Sequence, residues 1–324
     1  MTNSRRTLVV ANPQSAGGSL AKRWEGLAPS LEAQIGPFDH LFTSGVGDAP
    51  RLVRDALQGG YERIIAFGGD GTVSEVIDGF FHETTGKTLA SNAVLAVLPF
   101  GTGGDFRRSI GASKKLEFAI DGLASAEVRR LDIGRLSYRD RDDRPAQRHF
   151  ANIASFGMSG LVSAFVNESG KRLGGKVSFA LATLKAMRRY QPQRALLTLD
   201  DRPPREATFH VCGVCNGQYF GGGMWMAPDA SLEDGLFDVV TLAPMSLKDV
   251  LLRGNRLYKG THVDLPQTTV ERARRVVAEP LPGEAPILLD VDGETPGHLP
   301  ATFELLPGAL RVQVPQLAPP RGSR

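Results

Sequence analysis

Cysteine is almost absent: 324 residues contain two, Cys212 and Cys215. That excludes a disulfide framework. Their C-x-x-C spacing does not make a zinc site, because two thiols cannot complete a tetrahedral shell. Thr208–Cys215 reads as a strand, on which residues three apart face opposite sides, so both thiols are expected to be buried and structural. No apolar run approaches the ~20 residues of a membrane-spanning helix. The N-terminal apolar stretch breaks off at Asn12-Pro13, too early for a secretory signal. A soluble cytoplasmic chain is expected, meeting a membrane at most peripherally, from its inner face. No basic run is long enough for a nucleic-acid tail. The net charge of +3 suits phosphate ligands or an anionic surface.

Glycine is plentiful, and its densest use organises the chain. Arg63–Phe67 is a short apolar strand, Gly68-Gly69-Asp70-Gly71-Thr72 a turn, and Val73–Phe81 carries Val73, Val76, Ile77 and Phe80 at helical spacing. Strand, glycine turn and helix together build an anion site, because glycine permits close backbone approach and the helix's first N–H groups point outward. The dinucleotide fingerprint G-x-G-x-x-G fails at Ser74. Gly86-Lys87-Thr88 ends like a P-loop, but Phe81 stands at the first glycine's place. The bare alternative is a turn that only redirects the chain.

Around this turn the first part alternates strands (Arg6–Ala11, Phe38–Thr43, Arg63–Phe67, Ala93–Leu98) with helices near Leu20–Leu31, Asp48–Leu57 and Lys114–Leu123. That rhythm predicts a parallel sheet with helices on both faces and ligand loops at the strands' carboxyl ends. Those loops are Asn12–Gly18, Thr43–Gly45, Gly68–Thr72 and Pro99–Asp105. Beyond Leu131 strands dominate: Val128–Tyr138, Gln147–Ser155, Arg194–Leu199, Thr208–Cys215 and Val270–Ala278. Lys171–Tyr190 is read as the one substantial helix, basic and either lipid-facing or packed on a sheet. The expected domains are 1–131, α/β, and 132–314, β-rich and sandwich-like, the last segment of which can pack back on the first domain. Residues 315–324 are expected to be a disordered tail.

Five blocks in order resemble the diacylglycerol/sphingosine kinase type of lipid kinase, bacterial form. They are Asn12–Gly17, Gly68–Glu75 (GGDGT-x-x-E), Pro99–Arg107, Asn216–Asp238 and Asp292-Gly293-Glu294. In the third, Gly104 stands for the usual Asn and Arg107 for a small residue; no role is carried onto Gly104. The resemblance implies ATP and Mg2+ as cofactors, a nucleotide-binding domain, a β-rich domain and an active site in the cleft between them. Asn12, Thr43, Gly68, Gly69, Asp70, Gly71, Thr72, Glu75, Gly101, Thr102 and Asp105 would form the nucleotide site, with Asp70 on Mg2+. Asp292 would be the base for a lipid hydroxyl and Glu294 its neighbour; Asp290, two residues earlier, would share a strand face with Asp292. Ser231, Asp234 and Leu236 would hold a structural Mg2+, against the alternative of a plain Asp-Gly turn. The partner implied is a membrane lipid at a bilayer surface, with no nucleic acid and the oligomeric state open. An NAD kinase-like enzyme, an inactive nucleotide- or lipid-binding relative and a Rossmann-type oxidoreductase stand as alternatives.

Overall fold

Three strands, β1 (Thr7–Ala11), β3 (Arg63–Gly68) and β4 (Val94–Pro99), are almost continuously apolar. They are buried on both faces, as parallel strands under helices must be. The computed structural model describes residues 5–101, 103–169 and 175–315. With β2 (Asp39–Phe42) these strands run parallel in the order β2-β1-β3-β4. The edge strand β2 is exposed along its length. Arg311 and Val312 of the last strand pair parallel to Val94 and Leu95 of β4. The connecting helices are α1 (Ser15–Ile35), α2 (Asp48–Gln58), α3 (Asp70–Asp78), α4 (Asp105–Ser109) and α5 (Leu116–Ser125). One face of the sheet buries Val9, Ile65, Phe67 and Leu98 against Leu20, Trp24 and Leu31 of α1 and Ile120 of α5.

The chain divides into two compact units between Leu131 and Asp132 and again between Pro307 and Gly308, so residues after 307 belong with the first. The second unit holds the greater part of β5 (Glu127–Asp140), then β6 (Pro145–Phe150), β7 (Ile153–Gly157), α6 (Met158–Ser169), α7 (Gly175–Arg189), β8 (Gln193–Leu199), β9 (Arg205–Phe209) and β10 (Val211–Cys215). There follow β11 (Tyr219–Phe220), β12 (Met224–Trp225), β13 (Phe237–Leu242), α8 (Leu247–Lys259), β14 (Thr268–Ala273), β15 (Arg275–Pro280), β16 (Leu289–Val291) and most of β17 (Gly297–Val314). An antiparallel sheet in the order β14-β13-β10-β7-β16 and a layer in the order β17-β15-β8-β9 share one core, in which Phe150, Phe156, Phe209, Phe237 and Phe303 are fully buried.

Three expected strands prove to be six. Gln147–Ser155 breaks at Ala151-Asn152, and the buried Asn152 side chain donates to the Tyr219 carbonyl. Thr208–Cys215 breaks at His210, whose N–H donates to the Leu242 carbonyl at 2.9 Å. Val270–Ala278 breaks at Arg274, where Asp200 Oδ1 accepts the N–H groups of Arg274 and Arg275 at 2.8 and 2.9 Å. At each break the chain passes between sheets. Cys212 and Cys215 do face opposite sides, one in the large core and one beside Met226. Burial pushes the Cys212 thiol up to about 12 and that of Cys215 well above its usual range.

The single helix expected over Lys171–Tyr190 is one of three in this unit among the described residues; Lys171 and Arg172 lie outside them. Helices α6 and α7 pack through Val162, Phe165, Ala182 and Ala186. The third, α8, is capped at Ser246, whose Oγ accepts the Asp249 N–H at 3.1 Å, and ends at Gly260 with φ +71°. Among the described residues no helix is long and apolar enough to cross a membrane.

Candidate active site

Strand β3 delivers its carboxyl end directly into α3, and the N-cap, Gly69, is extended and brings no side-chain cap. The first N–H groups of α3 are thus left for an anion. Glycine is required here for reasons of space. A Cβ at Gly68 would lie 2.6 Å from Thr72 Oγ1, and one at Gly101 would lie 2.9 Å from the Gly69 Cα. The β3–α3 turn and the loop after β4 therefore meet backbone to backbone, and the Phe100 N–H donates to the Gly68 carbonyl at 2.8 Å.

Asp70 ties the two loops together. Its Oδ2 accepts the Gly104 N–H at 2.5 Å and its Oδ1 accepts the Asp105 N–H at 2.8 Å. Asp105 is buried and its own carboxylate accepts from Arg108 at 2.6 Å. These glycines, with Asp70, Arg107 and Lys114, line an open cavity.

Other expected residues gather at the same end of the sheet. Asn12 Nδ2 donates to Thr72 Oγ1 at 3.1 Å, so β1's loop is fastened to α3. In that loop Ala16, Gly17 and Gly18 stand successively at φ +51°, +70° and +80°. Thr43 is buried and its N–H donates to the Ala11 carbonyl at 2.9 Å. Glu75 Oε1 accepts the Gly47 N–H at 2.8 Å, linking α3 to the loop after β2. Gly71 lies within the first turn of α3. Thr102 lies outside the described residues.

In the second unit β16 stops at Val291, and Asp292 enters the left-handed region at φ +49°. Asp292 therefore does not share a strand face with Asp290, as its spacing implied. Asp290 is buried and its Oδ1 accepts the Gly293 N–H at 3.0 Å, closing the turn. Asp292 grips Ile153 twice: its N–H donates to the Ile153 carbonyl and its Oδ1 accepts the Ile153 N–H, both at 3.0 Å. Glu294 pairs with Arg148 at 3.1 Å. Asp, whose short polar side chain bonds locally, is among the few residues that tolerate this conformation.

The loop before β13 places Ser231, Asp234 and Leu236 together. Asp234 Oδ1 accepts the Leu236 N–H at 3.1 Å, and its other oxygen is paired with Arg272. Arg272 also holds Asp238 at 3.0 Å. Burial raises the Asp238 carboxyl above its ordinary range, against the pull of Arg272. Buried Asp132 accepts the Gly235 N–H at 2.8 Å, and Asn216, fully buried, donates to the carbonyls of Asp132 and Ala151 at 2.8 and 2.7 Å.

As to metals, the described residues hold no group of three His, Cys, Asp or Glu side chains able to cage an ion. The Asp70 carboxylate keeps lone pairs beyond its two amide bonds, so it fits Mg2+ as a single carboxylate ligand. At Asp234 an ion must compete with the guanidinium of Arg272.

Arg148, Asp132, Asp290, Lys114 and Arg272 were not among the expected site residues. None belongs to a recognisable motif, and only the tertiary fold gives each a partner or a place.

Residues 6–136 match the family model described as diacylglycerol kinase catalytic domain, and residues 152–314 match that of the YegS C-terminal NAD kinase beta sandwich-like domain. A protein of Stenotrophomonas maltophilia named "Probable lipid kinase YegS-like" is 31% identical over 98% of this chain and 99% of its own. A protein of Mycobacterium tuberculosis named "Diacylglycerol kinase" is 28% identical over 96% of each chain. The crystal structure of a diacylglycerol kinase from Bacillus anthracis superposes with a TM-score of 0.70 over 98% of this chain and 99% of its own; at 21% identity that likeness speaks for the fold.

Proposed function

The chain belongs to the diacylglycerol kinase family of lipid kinases, and from that premise we propose that it moves the γ-phosphoryl group of ATP to a hydroxyl of a membrane lipid. The observation that carries this reading is the joining of the two glycine loops through Asp70. It leaves a cavity walled by backbone and bordered by two cations, which suits a polyphosphate.

Phosphoryl transfer needs positioning and charge neutralisation more than covalent help. The N–H groups at the start of α3 bind phosphate oxygens. Asn12, Thr72 and Glu75 fix the β1, β2 and β3 loops against one another, so those donors are preorganised. Mg2+, when held at Asp70, offsets charge on the phosphate oxygens. Gly71, Gly101, Thr43, Thr102 and Asp105 complete the proposed nucleotide site. Asp292 takes the proton of the lipid hydroxyl at its carboxylate, which the hydrogen bond from the Ile153 N–H orients. Glu294, held by Arg148, shapes the same turn. Ser231, Asp234 and Leu236 form a second cation site, which an ion gains by displacing Arg272. The substrate is met at a bilayer surface, to which the protein binds peripherally from the cytoplasm.

The test is transfer of label from ATP in the presence of Mg2+, with mixed micelles of hydroxyl-bearing lipids and with NAD as a soluble acceptor. Label in a lipid is the expected result; label in NAD alone would overturn the proposal. Asp292→Asn should reduce turnover at least 100-fold, the order expected for loss of a positioned base, while ATP affinity is unchanged. An active Asp292→Asn enzyme would remove Asp292 from the mechanism.

A further inference from the structure

Arg107 is a buried cation at a ligand cavity. It is only 9% exposed, and among the described residues it makes no ion pair. The neighbouring Arg108 takes the Asp105 carboxylate instead. One guanidinium N–H of Arg107 goes to the Ala112 carbonyl at 2.6 Å. The guanidinium lies beside Gly104, which sits at φ +87°, and a Cβ there would be 2.8 Å from Arg107 Nε. Arg107 thus occupies the place that a side chain at position 104 would fill. Burial draws the guanidinium's pKa down and the carboxylates of Asp70 and Asp105 oppose it; the group remains a cation. The Asp70 carboxylate is itself committed to two backbone amides. A desolvated guanidinium at the wall of a cavity is stabilised best by an anion, and its planar fork matches a phosphate.

We propose that Arg107 is a phosphate-binding residue of the cavity at the glycine turn, its guanidinium lying in the space left beside Gly104, whose positive φ itself favours glycine. The inference rests on the nucleotide-site reading above, and its test separates the two. Equilibrium titrations of the whole protein would use a non-hydrolysable ATP analogue with Mg2+, adenosine, and inorganic tripolyphosphate.

Arg107→Gln should weaken the ATP analogue and tripolyphosphate by about tenfold to a hundredfold, the range for a hydrogen bond to a charged group. It should leave adenosine unchanged, and Arg107→Lys should recover part of the loss. Gly104→Ala should weaken the analogue in the native background by more than in the Arg107→Gln background, because the clash needs the guanidinium. Thermal midpoints establish that each variant is folded; should Arg107→Gln fail to fold, the Arg107→Lys and Gly104→Ala titrations decide. Analogue binding that is equal in native protein and the Arg107 variants overturns the inference and leaves the nucleotide reading intact. Tripolyphosphate binding that depends on Arg107, without binding of the ATP analogue, upholds the inference and overturns the nucleotide reading. Absence of binding by all three probes overturns both.

Discussion

Gly68 has almost no room for a methyl group. The nearest neighbours of a Cβ there would be Thr72 Oγ1, Cβ and Cγ2 at 2.6, 2.7 and 2.9 Å. Thr72 cannot retreat, since it is buried and its hydroxyl is held by Asn12. Gly68→Ala should therefore cost about 1–3 kcal/mol, the usual range for overpacking, and should weaken nucleotide binding because α3 is the element displaced. Urea denaturation checks the first and titration with an ATP analogue the second. An unchanged midpoint would mean that the turn yields where these contacts say it cannot. The turn itself was legible in the sequence, since glycines between an apolar strand and a helical pattern have few other uses. The particular neighbour that forbids a side chain was not. Thr72 answers for Gly68, Gly69 for Gly101 and Arg107 for Gly104, and the Gly101–Gly69 contact joins loops from different strands.

Between strands, pairing register decides which charges meet. Arg272 of β14 lies directly opposite Asp238 of β13, and its guanidinium reaches on to Asp234 in the preceding loop. One guanidinium thereby neutralises two carboxylates at the proposed second cation site. Removal of Arg272 should expose that site: Arg272→Ala should gain more thermal stability from added Mg2+ than the native protein does, and Arg272→Ala/Asp234→Asn should lose the gain. Binding of an ion to the folded state alone raises stability with its concentration, so the shift should grow with Mg2+. Equal shifts in native and Arg272→Ala proteins would show that guanidinium and metal do not compete, and no shift in either would remove the metal site. The sequence could not have given this, because register is a property of two strands. It did contain α8, unread: Ser246-Leu-Lys-Asp249 is a capping sequence and Gly260 closes the helix three turns on. The strand break at His210 was hidden for a different reason. The chain changes sheets without changing its apolar pattern, so periodicity alone joins the pieces.

Over the whole molecule, the α/β and β-rich character of the chain was readable because each follows from a repeating pattern, strand-helix alternation in one part and short strands in the other. Buried titratable groups are a less visible difference. His210 and His262 both lie in the second unit, and burial lowers the pKa of each from the ordinary 6.5. His210 Nδ1 also accepts the Met245 N–H at 3.1 Å, which requires that nitrogen unprotonated. The sign follows by linkage. With a depressed folded-state pKa the unfolded chain binds more protons below pH 6.5, so stability is full above that pH and declines as pH falls toward the folded-state values. Each unit of depression corresponds to about 1.4 kcal/mol. Acid near pH 6 should therefore weaken the second unit first. Hydrogen exchange followed from pH 7.5 to 5.5, corrected for the intrinsic rate, should show protection lost in β10 and β13 before β1, β3 and β4. His210→Gln, which carries no titrating ring, should flatten part of the decline. If protection falls equally in both sets of strands, or if the substitution leaves the pH profile unaltered, these histidines do not set the acid limit of the fold.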